Sequence, residues 1–400
     1  MKTPWPMIRL GEVLTERQEA PTADDLLQGS VPIVAKIGFN DGQIQLRNSV
    51  ETRTGMILIH PGDLVVSGIN AAKGAIAVYR SSGSGPIAAT IHYSAYVPDS
   101  QRVNIKYLWW LLRSAVFREL LLLHVPGGIK TELKASRLLP IPVPLPPIDE
   151  QGRIVARIEE LAAKIEDARG LRRGALQTVE ALYLSRLSTL MQSLGETYGF
   201  QSVGQLIQDA GYGTSVRCDY QRPDRGVPVL RIPNVAGELI SQADMKYGVL
   251  GESELAKLQL FEGDILVVRT NGSRDLVGRS AVVSLLSEPT AFASYLIRLR
   301  LNRAAIEPTF AQLVLKHLRT SGKLFDLART TAGQYNVSLG RLRSASVPVP
   351  PVLVQRDIVA EMDSIDMQLA TVRRLQAETA AELDALLPSI LDRAFKGELV

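Results

Sequence analysis

Three clusters of forked, amide and aromatic side chains mark the second half of this 400-residue chain. One is RTNGSRDLVGR, with Arg269, Thr270, Asn271, Ser273, Arg274 and Arg279 around a turn-forming Asn-Gly. A second is VRCDYQRPDR, with Arg217, Tyr220, Gln221, Arg222 and Arg225. A third is AGQYN, with Gln334, Tyr335 and Asn336. The first half offers a sparser set: Asn70 and Lys73 in SGINAAKG, then Thr90, His92, Tyr93 and Lys130. An arginine fork matches the two acceptors of guanine, and an amide matches the donor and acceptor of adenine. Such side chains on loops can therefore read base edges in duplex DNA. Taken singly, each is first a solvated loop residue. Their clustering is what points to recognition.

Other chemistries find little support. One cysteine, Cys218, excludes an intrachain disulfide and a cysteine-built zinc site. His60, His92, His124 and His317 form no ligand-spaced pair, and no carboxylate couple stands out. GSG at Gly83 and GYG at Gly211 lack the rest of a dinucleotide fingerprint, and no glycine loop ends in Gly-Lys-Ser/Thr. Trp109 and Trp110 lie in a Leu-rich helical stretch and read as core before they read as a base-stacking platform. The apolar run Leu108–Val125 is broken by Arg113, Arg118 and Glu119, so it reads as a buried helix rather than a membrane span. MKTPWPMIRL carries no signal-peptide core, and a cytoplasmic protein is expected. The chain is 46% hydrophobic, enough for real cores, and its net charge is +4. That charge is a weak hint of a polyanionic partner.

The elements that would position these side chains come in duplicate. IPVPLPPIDEQGRIVARIEEL at Ile141–Leu161 reappears as ASVPVPPVLVQRDIVAEMDSI at Ala345–Ile365, offset by 204 residues. The same offset holds down the following helix, where Ala181, Leu182, Ser185 and Leu187 meet Ala385, Leu386, Ser389 and Leu391. Upstream, VPIV at Val31 corresponds to VPVL at Val227, and PGDLVV at Pro61 to EGDILVV at Glu262. HVPGGIKTEL at His124 resembles RTTAGQYNVSL at Arg329. Internal repetition of this kind makes each half one structural unit. The domains expected are a module over 1–147, a long helix over 148–196, a second module over 197–351 and a second helix over 352–400.

Within the modules, short apolar runs punctuated by Gly, Asn and Pro predict strands at Met56–Ile59, Asp63–Ser67, Ala75–Tyr79, Asp264–Arg269, Ser280–Leu285 and Ser294–Leu301. Helical spacing follows at Lys106–Leu123 and Pro308–Leu327, giving a mixed α+β domain. The long helices carry apolar residues at alternating steps of three and four. The first has Ile158, Leu161, Ile165, Ala168, Ala175, Val179 and Leu182 with Arg172 in step among them; the second has Met362, Ile365, Leu369, Val372, Leu383, Leu386 and Ile390 with Gln376 and Thr379 in step. That is a coiled-coil seam in need of a partner. Each helix could cover its own module, but the repeat favours mutual, antiparallel pairing and a pseudo-two-fold molecule.

The proline-rich turn leading into a Gln-Arg or Gly-Arg-Ile-Val helix, found twice, resembles the specificity subunit of Type I restriction-modification enzymes. LLPIPVPLPPIDEQGRIVARI at Leu138–Ile158, SVPVPPVLVQRDIVAEM at Ser346–Met362 and LLPSILDRAFKGELV at Leu386–Val400 carry the resemblance. MIRLGEVL at Met7 and its echo FQSVGQLI at Phe200 add to it. The resemblance implies two target recognition domains, each reading half of a split asymmetric site in double-stranded DNA. It implies helices that set the gap and dock two methyltransferase subunits, with restriction subunits joining the assembly. S-adenosylmethionine, ATP and Mg2+ would be used by those partners, leaving this chain without a catalytic role. A combined methyltransferase-nuclease partner of another restriction type stays open. The first long helix closes with YLSRLSTLMQSLGE where the second has LLPSILDRAFKGEL, so the two ends are expected to pack differently.

Overall fold

A computed structural model describes residues 5–27, 30–47, 55–80, 85–125, 132–326, 329–331 and 334–399. The chain divides into two compact units, Met1–Arg172 with Gln376–Val400, and Arg173–Leu375. Both long helices, Ile148–Tyr198 and Val352–Lys396, run from one unit into the other.

Each unit is built on a central strand buried on both faces. In the first unit four strands lie in the order Leu14–Glu16, Tyr93–Pro98, Leu64–Ser67, Ile76–Val78. In the second the order is Ile207–Tyr212, Leu296–Leu301, Ile265–Val268, Ser280–Val282. The two-residue period of a strand sends alternate side chains to opposite faces. Leu64 and Val66 join the helical core that holds Tyr107, Phe117 and Phe395, while Val65 joins Val34, Ile59 and Ala77 beneath a second sheet. Ile265 and Val267 make the same split from Leu266 and Val268. The repeated Gly-Asp before the strand is also explained. Asp63 and Asp264, both 2% exposed, accept from the backbone N–H of His60 at 2.8 Å and of Phe261 at 2.9 Å. Each is neutralised by a forked arginine, Arg17 in the first unit and Arg300 in the second.

The proline-rich turns are short strands. Pro142–Pro144 pairs antiparallel with Met7–Arg9, and Ser346–Pro348 with Phe200–Ser202, which is why the repeat includes the openings of both modules. The glutamine after each turn is fully buried and saturated. Gln151 accepts from Asn104 N at 2.8 Å and donates to Arg102 O and Pro146 O. Gln355 accepts from Glu307 N at 2.8 Å and donates to Ala305 O and Pro350 O. Asn104 and Glu307 are the N-caps of Ile105–Leu112 and Pro308–Thr320. One amide thus joins the start of the long helix to the start of a module helix.

The expected single helices over 106–123 and 308–327 are each two. Ile105–Leu112 and Ala115–His124 are separated at Ser114, whose hydroxyl caps the second by accepting from Phe117 N. Pro308–Thr320 stops before Gly322, whose φ of 83° breaks the right-handed path ahead of Lys323–Asp326.

The long helices pair antiparallel, and their contacts are related by the repeat. Arg172 and Gln376 exchange hydrogen bonds to each other's carbonyl groups. Arg169 pairs with Asp384 at 2.7 Å in the first unit, and its equivalent Arg373 pairs with Glu180 in the second. Of the expected seam residues, Ile158, Ile165, Met362 and Leu369 are buried, and Leu161, Val179, Ile365, Val372 and Leu383 are half-buried. Leu182 and Leu386 are 63% and 45% exposed. A helix of 3.6 residues per turn drifts about 20° per heptad against a 3.5-residue repeat. Tyr183 and Leu387 therefore replace them on the inner face. The stripe continues through Leu187, Met191 and Leu194 into the second unit's core, and through Leu391, Ala394 and Phe395 into the first unit's core. Each module core is thus closed by the end of the long helix that starts from the other module.

Candidate nucleic-acid interface

In the second module the end of the strand Ile265–Val268 delivers Arg269 to the surface. Its guanidinium lies 4.4 Å over the Tyr212 ring, and its Nε donates to Asn336 Oδ1 at 3.4 Å. Tyr212 is fixed in turn, because its hydroxyl accepts from Leu339 N at 3.0 Å. Thr270 and Asn271 then pair with the strand Gln334–Asn336, in the register Thr270 to Asn336 and Asn271 to Tyr335. Asn271 Oδ1 accepts from Ser273 N at 2.8 Å, closing the turn that the Asn-Gly pair predicts. Arg269, Thr270, Asn271, Tyr335 and Asn336 are therefore one constellation, with the backbone of Gln334 beside them. Among the described residues no carboxylate pairs with Arg269, so its terminal nitrogens are available to an incoming acceptor.

The other arginines divide by what holds them. Arg274 is exposed and stacks 4.5 Å over Phe325. Arg279 is half-buried and gives its donors to Asp275 O at 2.9 Å and Ala236 O at 2.7 Å, a brace between loops. Arg222 forks onto Glu288, stacks over Tyr247 and donates to Gly226 O. Arg217 and Arg225 are exposed, and Arg225 takes a left-handed φ of 57°. Near them Tyr220, 61% exposed, lies under Lys246 and Arg231.

The first module presents different groups. His92 Nδ1 meets Glu132 Oε1 at 3.0 Å, and both are partly exposed. Asn70 is half-buried and opens a short 3-10 turn, Ala71–Lys73. Lys73 is exposed, 5.7 Å over the Phe39 ring. Thr90 ends the strand Ile87–Thr90, and burial pushes the Tyr93 hydroxyl up. Lys130 lies outside the described residues. Trp110 is core at 9% exposed, while the half-buried Trp109 donates to Ile76 O.

Charge follows the same division. Residues 197–351 hold 18 Lys and Arg against 13 Asp and Glu, whereas residues 352–400 hold 5 against 9. A polyanion is attracted to the module surface, not to the acidic helix. Among the described residues no group of three or more His, Cys, Asp or Glu could hold a metal ion. No helix among them is long and apolar enough to cross a membrane. Tyr212 and Glu132 escape the sequence reading. Tyr212 sits in a Gly-Tyr-Gly stretch judged only as a glycine motif, and Glu132 pairs with His92 from 40 residues away.

No protein-family model matches the chain. It is homologous to specificity subunits of Type I restriction enzymes. The EcoKI specificity subunit of Escherichia coli (strain K12) is 25% identical over 300 residues, 72% of this chain. That match spans 64% of the relative's own length, a little under two thirds. The StySPI specificity subunit of Salmonella potsdam is 22% identical over 386 residues, 92% of this chain and 82% of that protein. A chain from the structure described as "Structural basis underlying complex assembly and conformational transition of the type I R-M system" aligns with TM-score 0.72 and 21% identity, over 100% of this chain and 99% of its own length. The HsdS subunit from Thermoanaerobacter tengcongensis aligns with TM-score 0.57 and 23% identity, over 100% and 98%. These likenesses show a shared fold.

Proposed function

We propose, starting from homology to Type I specificity subunits, that this chain selects DNA sequence for a restriction-modification complex. Each module, 1–147 and 197–351, reads one half of a bipartite asymmetric duplex site. The long helices set the unread gap and dock two methyltransferase subunits, and restriction subunits complete the assembly. S-adenosylmethionine, ATP and Mg2+ serve those partners. This chain supplies binding and register, and no chemical step.

The Arg269 constellation is the observation that carries the reading. A guanidinium stacked on Tyr212 and tethered by Asn336 loses little freedom on binding, and its outer nitrogens match the acceptors on guanine. Exposed basic groups such as Arg274 and Arg217 would meet phosphates, which give affinity without sequence preference. Purified chain, alone and assembled with its methyltransferase partner, tests the reading against a duplex library. Sequence-selective methylation by the complex, with none by the chain alone, is expected. Methyl transfer by the chain alone, or methylation by the complex without sequence preference, would contradict it.

A further inference from the structure

The two modules share one backbone lattice at the end of the central strand but place opposite chemistry on it. In the second module Arg269 N donates to Tyr295 O at 3.0 Å, and Val337 N donates to Arg269 O at 2.9 Å. In the first, Gly68 N donates to His92 O at 2.8 Å, and Leu133 N donates to Gly68 O at 2.9 Å. These bonds make Gly68 the counterpart of Arg269, His92 of Tyr295, and Glu132 of Asn336. A Cβ built on Gly68 would stand 3.1 Å from Glu132 Cγ and 3.2 Å from His92 O. The stem of Glu132 thus lies where a side chain at position 68 would begin.

The exchange reverses hydrogen-bond polarity. Arginine only donates, and an ionised carboxylate only accepts. The hydrogen bond from His92, helped by Lys134 at 3.8 Å, holds the Glu132 carboxyl below its usual range, so the acceptor form is the one present. In the major groove guanine offers two acceptors and cytosine one amino donor, whereas adenine offers one of each and suits an amide. Resting on the half-site reading above, we propose that both modules read a G·C pair, from opposite strands. Arg269 takes guanine O6 and N7 in one half-site, and Glu132 takes the cytosine N4 amino group in the other.

Base analogues test this on the wild-type protein. The chain assembled with its methyltransferase partner is used to methylate a plasmid library, and sequencing the modified sites gives the motif. Duplexes bearing that motif are then made with 7-deazaguanine or N4-methylcytosine at each G·C pair in turn. One pair in one half should lose affinity about 5- to 150-fold with 7-deazaguanine, and one pair in the other half should do so with N4-methylcytosine. Arg269→Ala should abolish the first sensitivity only, and Glu132→Ala the second only. Arg269→Met and Glu132→Met, which keep side-chain bulk but neither donate nor accept in this way, serve where an alanine variant fails to fold. A split motif without these two sensitivities, or with both in one half, overturns the assignment alone. Methylation without any split motif overturns the reading beneath it.

Discussion

Arg274 and Arg279 stand five residues apart in one loop and are expected to behave differently on substitution. Among the described residues Arg274 is held only by the Phe325 ring, which leaves its donors to meet a phosphate. Arg274→Ala should weaken binding alike across sequences and lower the slope of log K against log salt by about 1. Arg279 spends its donors on two carbonyl groups. Arg279→Ala should leave salt slope and discrimination unchanged and cost about 1–2 kcal/mol of stability. Binding titrations at several salt concentrations, with urea unfolding of both variants, separate the two. An arginine-rich loop is legible in the sequence, but this division of labour is not. Arg279 is defined by a carbonyl at Ala236, and Arg222 by Glu288, both far along the chain. Partners at such separations leave no local signal.

At the scale of elements, the repeat made most of the architecture readable. The two proline turns and the two long helices stand where the constant offset puts them, and the two central strands follow the matching Gly-Asp at a slightly shorter one. The heptad pattern was readable only in part, because apolar spacing does not say what an apolar stripe faces. Beyond the middle of each helix the stripe faces a module core rather than the other helix. Phe395 is fully buried and meets Tyr107 edge-on at 5.4 Å. Phe395→Ala should cost about 3–5 kcal/mol, since it leaves a cavity as well as losing transfer energy. Hydrogen exchange should show lost protection over residues 105–124 and none over 308–320, despite the change lying near the far end of the chain. The buried glutamines give a second test at this scale. Gln151→Leu should cost at least about 2 kcal/mol, because it strands the Asn104 N–H and two carbonyl groups. Gln355→Leu should cost a similar amount, measured by the same unfolding titration, because its three partners are equivalent.

For the whole molecule, the proposal gives the helices the task of spacing and the modules the task of reading. Seven residues inserted after Ala168 and again after Val372 add one heptad to each helix and keep each apolar stripe in phase, while the central pairs Arg169–Asp384, Arg172–Gln376 and Arg373–Glu180 slide by one heptad. The addition is about 10.5 Å at 1.5 Å per residue, or roughly three base pairs of duplex. Methylation of a library with varied gaps should show a weak preference for a longer one, because the added turn of the groove also rotates one half-site against the other. An insertion in one helix alone should abolish assembly with the methyltransferase. The division of tasks itself is tested most directly by exchanging residues 1–147 for the matching module of a homologue and sequencing the sites that the complex methylates. One half of the motif should change while the other half and the gap stay as they were. A change in both halves of a folded hybrid, or a motif left untouched, would contradict independent reading by two modules.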